Sequence, residues 1–227
     1  MGKSQKMKGL IAVKRARLVL GRNIFDDADW MSYYDANLPK KLIRAAAEFP
    51  WSDELLNSPC PFNTDKLVKD THFAFFGLPS LNGKDLTVLD WHDIHPATGQ
   101  PKFYFNRNQF YKNKDYANKI VCEAKWHLLL KDIVPGSTEK LPEEQETMLP
   151  PEYEIPTTIA EVTKDILYFR KTDVRVNPER WARCKEKTFN GFHSCVGFFV
   201  DLGLDVNYWI GNRDPYFGVG ASRKLPS

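Results

Sequence analysis

The C-terminal stretch from Phe189 to Phe217 restricts the fold of this chain more than any other segment, because its composition differs from everything before it. It contains no Lys, Glu, Gln or Met, although these four types make up 41 of the 227 residues and about five would be expected in a stretch of this length. Asn, Asp, Gly and aromatic residues replace them. Such residues form short strands and turns, and rings mixed with small polar groups are also typical of binding surfaces. The composition leaves both readings open.

Overall composition indicates a folded protein of one large domain or two small ones. The chain is 42% hydrophobic and 13% aromatic, which is typical of a globular protein. Its formal net charge of +3 is too small to indicate nucleic acid as a partner.

The N-terminus is the exception, since its basic residues meet no acidic residue before Asp26. The cluster consists of Lys3, Lys6, Lys8, Lys14, Arg15 and Arg17. Terminal charge clusters are more often solvated than bound. Together with the aromatic and basic stretch Phe103–Lys114, however, they keep nucleic-acid binding open as a less favoured alternative.

No targeting or membrane segment is apparent. The apolar run Gly9–Val13 is interrupted by Lys14 and Arg15, which makes it too short for a signal-peptide core. No segment approaches the length of a membrane span. We therefore expect a cytoplasmic protein, or one exported by a route that the sequence does not reveal.

The four cysteines are scattered and form no CxxC pair, so neither a zinc site nor a disulfide framework is indicated. Cys195 follows His193 by two residues, and on a strand such residues share a face. A Cys–His dyad is geometrically possible there, but two side chains on a polar face are the more usual outcome. His92-Asp93-Ile94-His95 could bind a metal, but in a loop before Pro96 this pattern is more typical of a turn.

Periodicity predicts the secondary structure of several segments. The predictions are a strand or helix over Lys6–Leu20, helix over Asp26–Phe49, strand over Thr71–Leu78, a tight turn at Asn82-Gly83, strand over Leu86–Leu89, helix over Asp115–Ile133, a helical turn at Glu143–Leu149, and a helix capped by Thr157 that runs to about Phe169.

The segment Tyr153–Val162 (YEIPTTIAEV) suggests a family. It resembles the "Y-R-L-P-T-x-x-E-W-E" stretch of the formylglycine-generating-enzyme-like branch of the C-type lectin fold, where the run enters a core helix. The segment Arg180–Cys184 follows, then the aromatic stretch, then Gly218–Lys224, which is similar to the closing "G-x-x-x-x-R" strand of that fold. In this order, Met148–Lys224 resembles the variable proteins of diversity-generating retroelements.

This resemblance implies an α+β, C-type-lectin-like fold with short antiparallel strands, two or more packed helices and an N-terminal elaboration. The lectin-like domain would span 111–227. Residues 1–110 would form an elaboration of it or a small domain. The implied function is non-enzymatic binding of an unknown protein or other macromolecule by a variable region at 189–217, with no cofactor and no metal.

The composition of 189–217 agrees with diversification of this kind. Mutagenesis at the adenines of AAC or AAT codons cannot produce Lys, Glu, Gln, Met or Trp, and only Trp209 departs from that rule. Strand alternation then predicts buried scaffold positions at Val196, Phe199, Gly203, Leu204, Val206, Gly218 and Val219. The side chains predicted to be displayed to a ligand are His193, Cys195, Phe198, Val200, Asp205, Asn207, Tyr208, Ile210, Asn212, Asp214 and Tyr216.

One other function connected with this family remains as an alternative. An enzyme of the formylglycine-generating type would need a cysteine pair, for which Cys184 and Cys195 are the candidates. Calcium-dependent sugar binding is not indicated, because the usual "E-P-N", "Q-P-D" and "W-N-D" triplets are absent.

Overall fold

The computed structural model describes residues 3–96, 98–104, 114–188 and 191–226, with side chains from residue 12 onward. It is a mixed α+β structure, which confirms the predicted class at that level. The helices are α1 (Lys3–Leu20), α2 (Asp27–Tyr34), α3 (Lys40–Ala47), α4 (Asp53–Leu56), α5 (Val68–Thr71), α6 (Val88–Ile94), α7 (Asp115–Asn118), α8 (Pro142–Thr147) and α9 (Thr158–Thr172). The strands are β1 (Ile24–Phe25), β2 (Pro59–Cys60), β3 (Asn63–Leu67), β4 (His72–Phe76), β5 (Ser80–Leu81), β6 (Lys84–Asp85), β7 (Trp126–Leu130), β8 (Tyr153–Glu154), β9 (Trp181–Lys187), β10 (His193–Val200), β11 (Gly203–Trp209), β12 (Phe217–Val219) and β13 (Ser222–Arg223).

The N-terminal part is helical, but the predicted helix over Asp26–Phe49 is wrong because the chain forms two helices there. Asp26 caps α2 in a reciprocal capping box with Asp29. Helix α2 then ends at Asp35, which adopts a left-handed φ of 49°. Pro39 precedes α3 and starts a new helix.

The basic residues of α1 that the structure describes with side chains are partly engaged. Arg15 pairs with Asp53 at 2.5 Å, and Arg17 pairs with the buried carboxylate of Asp26. These two cations hold α1 against its neighbours, which makes them less available to a polyanion.

A five-stranded sheet has the order β1-β4-β7-β13-β8. Its centre is the antiparallel pair β4 and β7, with Ala74 opposite Leu128, and every residue of both strands is buried. The predicted helix over Asp115–Ile133 is therefore wrong beyond α7. A strand covered on both faces is apolar without alternation, and its pattern can be mistaken for that of a buried helix.

This sheet also bears on domain organisation. Strands β1 and β4 lie before residue 110 and strands β7, β13 and β8 after it, yet they share one sheet. One hydrophobic cluster extends from Val13 in α1 to Val206 in β11. Residues before and after position 110 therefore contribute to the same sheet and the same hydrophobic cluster.

Helix α9 lies between the five-stranded sheet and a four-stranded sheet with the order β11-β10-β9-β12. The Thr157 hydroxyl accepts a hydrogen bond from Ala160 N at 3.3 Å, which confirms the predicted N-cap. All residues of α9 except Arg170 and Lys171 are buried. The helix therefore fixes one face of the four-stranded sheet.

The turn at Asn82-Gly83 is confirmed. Asn82 and Gly83 adopt φ angles of 51° and 85° between the paired strands β5 and β6. The predicted strand over Leu86–Leu89 is wrong, because Thr87 accepts a hydrogen bond from Asp90 N at 3.2 Å and starts α6 instead. His92 and Asp93 consequently lie in a helix and not in a loop.

Among the residues that the structure describes, no helix is long and apolar enough to cross a membrane.

Candidate functional site

The four-stranded sheet contains most of the residues predicted to bind a ligand, and its register assigns their faces. We call the side packed on α9 the inner face and the opposite side the outer face. Ala182, Val196 and Val206 are paired across the strands and buried on the inner face. The seven predicted scaffold positions are all buried.

The next cross-strand row lies on the outer face. Gly197 is opposite both Trp181 and Asp205, so the three residues form one row across β9, β10 and β11. Because Gly197 has no side chain, the Trp181 indole reaches across β10, and its Nε1 donates to Asp205 Oδ2 at 3.2 Å. A Cβ at Gly197 would also lie 2.2 Å from Arg180 O, so only glycine fits there.

An irregularity follows in β10. The pairing with β11 shifts between Gly197 and Val200, and Phe198 adopts a left-handed φ of 45°, which is unusual for a residue with a side chain. Its backbone N–H donates to Arg180 O at 2.7 Å. This bulge returns the Phe198 ring to the outer face.

Four aromatic rings stack in a row on the outer face. They belong to Phe198 of β10, Trp181 of β9, Phe217 of β12 and Trp209 of β11. Centroid distances are 4.5 Å for Phe198–Trp181, 5.0 Å for Trp181–Phe217 and 5.9 Å for Trp209–Phe217. The corresponding interplanar angles are 9°, 12° and 6°. Phe198, Trp181 and Phe217 are half-buried, so the row presents aromatic surface to solvent.

Helix α8 covers the middle of the outer face through Arg183, which is 1% exposed. The Arg183 guanidinium donates to Gln145 Oε1 at 2.7 Å, to Glu146 Oε1 at 3.2 Å and to Pro142 O at 3.2 Å. Gln145 in turn donates to Ser137 O and Phe217 O. This covering divides the outer face and leaves the end near Phe198 open.

That open end contains a cavity of about 210 Å³. Its lining residues are Tyr104, Trp181, Phe198, Val200, Leu202 and Asp205. Asp205 contributes the one charged side chain of this lining, and its Oδ2 accepts from both Trp181 Nε1 and Asn207 Nδ2 at 3.2 Å. Burial raises the pKa of Asp205 despite these hydrogen bonds. We call this cavity the aromatic pocket.

Of the predicted ligand-binding residues, Phe198, Val200 and Asp205 line the aromatic pocket, and Asn207 supports it through Asp205. The β11–β12 loop displays Ile210, Asn212 and Tyr216 to solvent and half-buries Asp214. Trp209 Nε1 donates to Asn212 Oδ1 at 3.0 Å, and Asp214 Oδ1 accepts from Tyr216 N at 2.8 Å. These contacts give the loop a defined shape.

The prediction that His193 and Cys195 are displayed to a ligand is wrong, because both side chains are buried. Cys195 is fully buried, since it lies opposite Arg183 beneath the contacts to α8. His193 is 7% exposed, and its Nδ1 is buried without a hydrogen-bond partner in the described part of the chain. Neither side chain is displayed, because a strand residue on the outward side is exposed only where no other element covers it.

Tyr208 is exposed but lies on the face opposite to its neighbour Asn207. It pairs with Ser194, whose hydroxyl contacts Thr158 of α9 on the inner face, whereas Asn207 pairs with Cys195 on the outer face. The Tyr208 ring stacks on Phe192 at 5.6 Å. The predicted surface is therefore divided between two faces.

The suggested Cys–His dyad does not have the electrostatics of a nucleophile. Burial raises the pKa of Cys195 well above its ordinary value, and burial lowers the pKa of His193 to about 4. An activated pair needs the opposite shifts. Cys184 and Cys195 are both free thiols, and the register places their side chains on opposite faces of the sheet.

Among the described residues, His92 and His95 belong to no cluster of metal-ligating side chains. His95 Nε2 lies 3.1 Å from Tyr34 Oη, and burial lowers the pKa of His95 to about 4. In the described ranges, no three His, Cys, Asp or Glu side chains gather in a way that could hold a metal ion. Of the stretch Phe103–Lys114, Phe103 is fully buried and residues 105–113 lie outside the described residues.

Sequence reasoning missed Tyr104, Trp181 and Leu202 as pocket residues. Trp181 belongs to a segment used only for the family resemblance, and Tyr104 is remote in sequence from the other lining residues. The backbone of Tyr104 joins the site because its N–H donates to Leu204 O at 2.9 Å. Leu202 lies in the turn between β10 and β11 and is 62% exposed, which the sequence alone does not show.

Comparisons with protein-family models, with curated proteins and with solved structures returned no match to this chain.

Proposed function

We propose that this chain is a non-enzymatic binding protein of C-type lectin architecture, and that it presents a diversified C-terminal surface to a protein or other macromolecule. The observation that carries the proposal is the open end of the outer face, where half-buried rings and one carboxylate surround a cavity. Aromatic anchors beside polar groups are the usual composition of binding hot spots.

The order of elements supports the lectin architecture. Helix α9 begins at its Thr157 cap, the tryptophan-bearing strand β9 follows, and the hairpin of β10 and β11 comes next. The terminal strand β13 then closes the domain by pairing with both β7 and β8. This is the sequence of parts that the resemblance implies.

The distribution of exposure supports diversification. Nine of the predicted ligand-binding positions are exposed or half-buried, and the predicted scaffold positions between them are buried. Substitution at the first set would change the surface without disturbing the packing on α9, because surface substitutions usually have small effects on stability. Substitution at the second set would create cavities or overpack the core.

The thiols weigh against the enzymatic alternative. Cys184 and Cys195 lie on opposite faces of one sheet, and burial raises the pKa of both groups. A thiolate at either position would be costly, and a disulfide between them would need the strands to rearrange.

Deep sequencing of the 3′ end of the gene across its source population tests the proposal, together with a search of the flanking DNA for a template repeat and a reverse transcriptase. We expect substitutions at codons such as those of Phe198, Asn207 and Tyr216, with Val196 and Val206 as invariant controls. An invariant tail without a template repeat would overturn diversification. Substitutions spread equally over buried and exposed codons would overturn the assignment of the surface.

A further inference from the structure

We propose that the aromatic pocket binds the cationic side chain of an arginine or lysine presented by the partner. This inference rests on the proposed binding function and assigns a ligand chemistry to one part of its surface. It depends on the size of the pocket, on the aromatic rings that line it and on the lack of a positive partner for its single carboxylate, Asp205.

The size of the pocket suits one side chain. Its volume of about 210 Å³ is below the 300 to 1,000 Å³ that is typical of small-molecule sites. Leu202 is 62% exposed and Tyr104 is 37% exposed at its rim, so the entrance is open to solvent. A long, narrow side chain can enter, with its apolar stem against Val200 and Leu202.

The walls favour a positive charge. The Trp181 indole is stacked between Phe198 and Phe217, so Phe198 and Tyr104 supply the ring faces of the lining that remain for a ligand. The faces of aromatic rings carry negative partial charge and attract ammonium and guanidinium groups. An uncharged apolar side chain would gain burial but not this attraction.

The carboxylate lacks a positive partner. Both side-chain donors to Asp205, Trp181 Nε1 and Asn207 Nδ2, reach the same oxygen, Oδ2. Within the described residues Asp205 forms no ion pair, and no Lys or Arg is part of the pocket lining. A half-buried carboxylate without a counterion is unfavourable, and an incoming cation would complete its interactions.

The experiment uses the full-length protein and two simple probes, Nα-acetyl-arginine amide and Nα-acetyl-lysine amide. The neutral control probe is Nα-acetyl-norleucine amide, which has a similar stem without the charge. The reporter is the indole N–H signal of Trp181 in a nitrogen–proton NMR spectrum, assigned with the Trp181→Phe variant. We expect saturable shifts with the cationic probes and on the order of tenfold weaker binding of the neutral probe.

The test variant is Asp205→Asn, and its matched control is Asp201→Asn, which removes a carboxylate from the adjacent exposed turn. We expect Asp205→Asn to weaken binding of the cationic probes on the order of tenfold, and Asp201→Asn to leave it unchanged. Equal binding of norleucine amide, or equal binding by Asp205→Asn, would overturn the inference. An unchanged far-ultraviolet spectrum and unchanged indole N–H signals of the other tryptophans would show that Asp205→Asn is folded.

The result is separable from the proposed function. A diversified tail whose pocket ignores the cationic probes would overturn this inference alone. Specific binding of the probes by a protein with an invariant tail would support the pocket while overturning diversification.

Discussion

The indole of Trp181 stacks on the ring of Phe198 with centroids 4.5 Å apart and planes 9° apart, although the two residues belong to different strands. The contact depends on two backbone features of β10. Gly197 leaves space for the indole to cross the strand, and the left-handed φ of Phe198 directs its ring onto Trp181. The same indole donates to Asp205, so one residue supplies both the wall and the polar support of the aromatic pocket.

Replacing Trp181 with phenylalanine should keep the stacking and remove the hydrogen bond to Asp205. Because that bond lowers the pKa of Asp205, we expect the pKa to rise further, with a loss of about 1 kcal/mol in the free energy of unfolding. An NMR titration of the Asp205 carboxyl carbon measures the shift. Trp209→Phe is the matched control, since it removes only a donor to Asn212. An unchanged Asp205 titration in Trp181→Phe would contradict the assigned contact.

Replacing Asp205 with asparagine should change how stability depends on pH. Burial raises the pKa of Asp205 above its ordinary value of 3.8, so the folded state holds the proton more tightly than the unfolded state. Stability of the wild type should therefore fall as pH rises from about 3.8 through the raised pKa. The variant lacks this loss, and its stability relative to wild type should grow with pH. Urea unfolding between pH 3 and pH 7 measures the difference, and a relative stability that declines with pH would contradict it.

Substitutions within the buried cluster around Lys164 should have unequal effects on the free energy of unfolding. Lys164 Nζ donates to Leu130 O, Lys131 O and Glu161 Oε1 at 3.2, 2.8 and 2.5 Å. Lys164→Met would leave these acceptors without their donor, and we expect a loss of about 3 to 5 kcal/mol.

Asp165 is the matched comparison within that cluster. Burial raises its pKa well above the ordinary value, against the attraction of Lys164. Asp165→Asn should therefore cost less than Lys164→Met, because burial disfavours the charge that the substitution removes, whereas Lys164 supplies three hydrogen bonds. Denaturant unfolding of both variants gives the comparison. Equal losses would contradict this ranking of the two residues.

The cysteines should be unreactive in the folded protein. All four thiols are buried, and burial raises the pKa of Cys122 to about 12. We expect Ellman's reagent to modify none of them quickly in buffer and all four after unfolding in guanidinium chloride. Fast modification of the native protein that disappears in Cys195→Ser would instead indicate an activated thiol and revive the enzymatic alternative.

Local signals in the sequence predicted local structure well. The Thr157 cap depends on a hydroxyl and a backbone N–H three residues away, and the Asn82-Gly83 turn depends on two residues that tolerate positive φ. Both interactions are made within a few residues, so no other part of the chain is needed to recognise them.

Predictions failed where distant residues decide the outcome. The apolar residues of Trp126–Leu130 fit helical spacing, yet pairing with β4 and burial on both faces make them a central strand. Cys195 alternates correctly for the outer face, but α8 covers it through Arg183. The spacing of apolar residues in one segment does not show whether both faces of a strand are buried. It also does not show whether another element covers an outward-facing residue.

The sequence by itself determined the capped helix α9 and the division of most assigned positions between 196 and 219 into buried scaffold and more exposed sites, and the resemblance drawn from it implied the α+β class. Helix capping and strand alternation carry the first two features, because they depend on each residue and its near neighbours. Only the tertiary structure decided that Tyr104, Trp181 and Asp205 enclose one pocket and that His193 and Cys195 are hidden. Those outcomes depend on the register of β9, β10 and β11, on the bulge at Phe198 and on the docking of α8, which join residues up to a hundred positions apart in the chain.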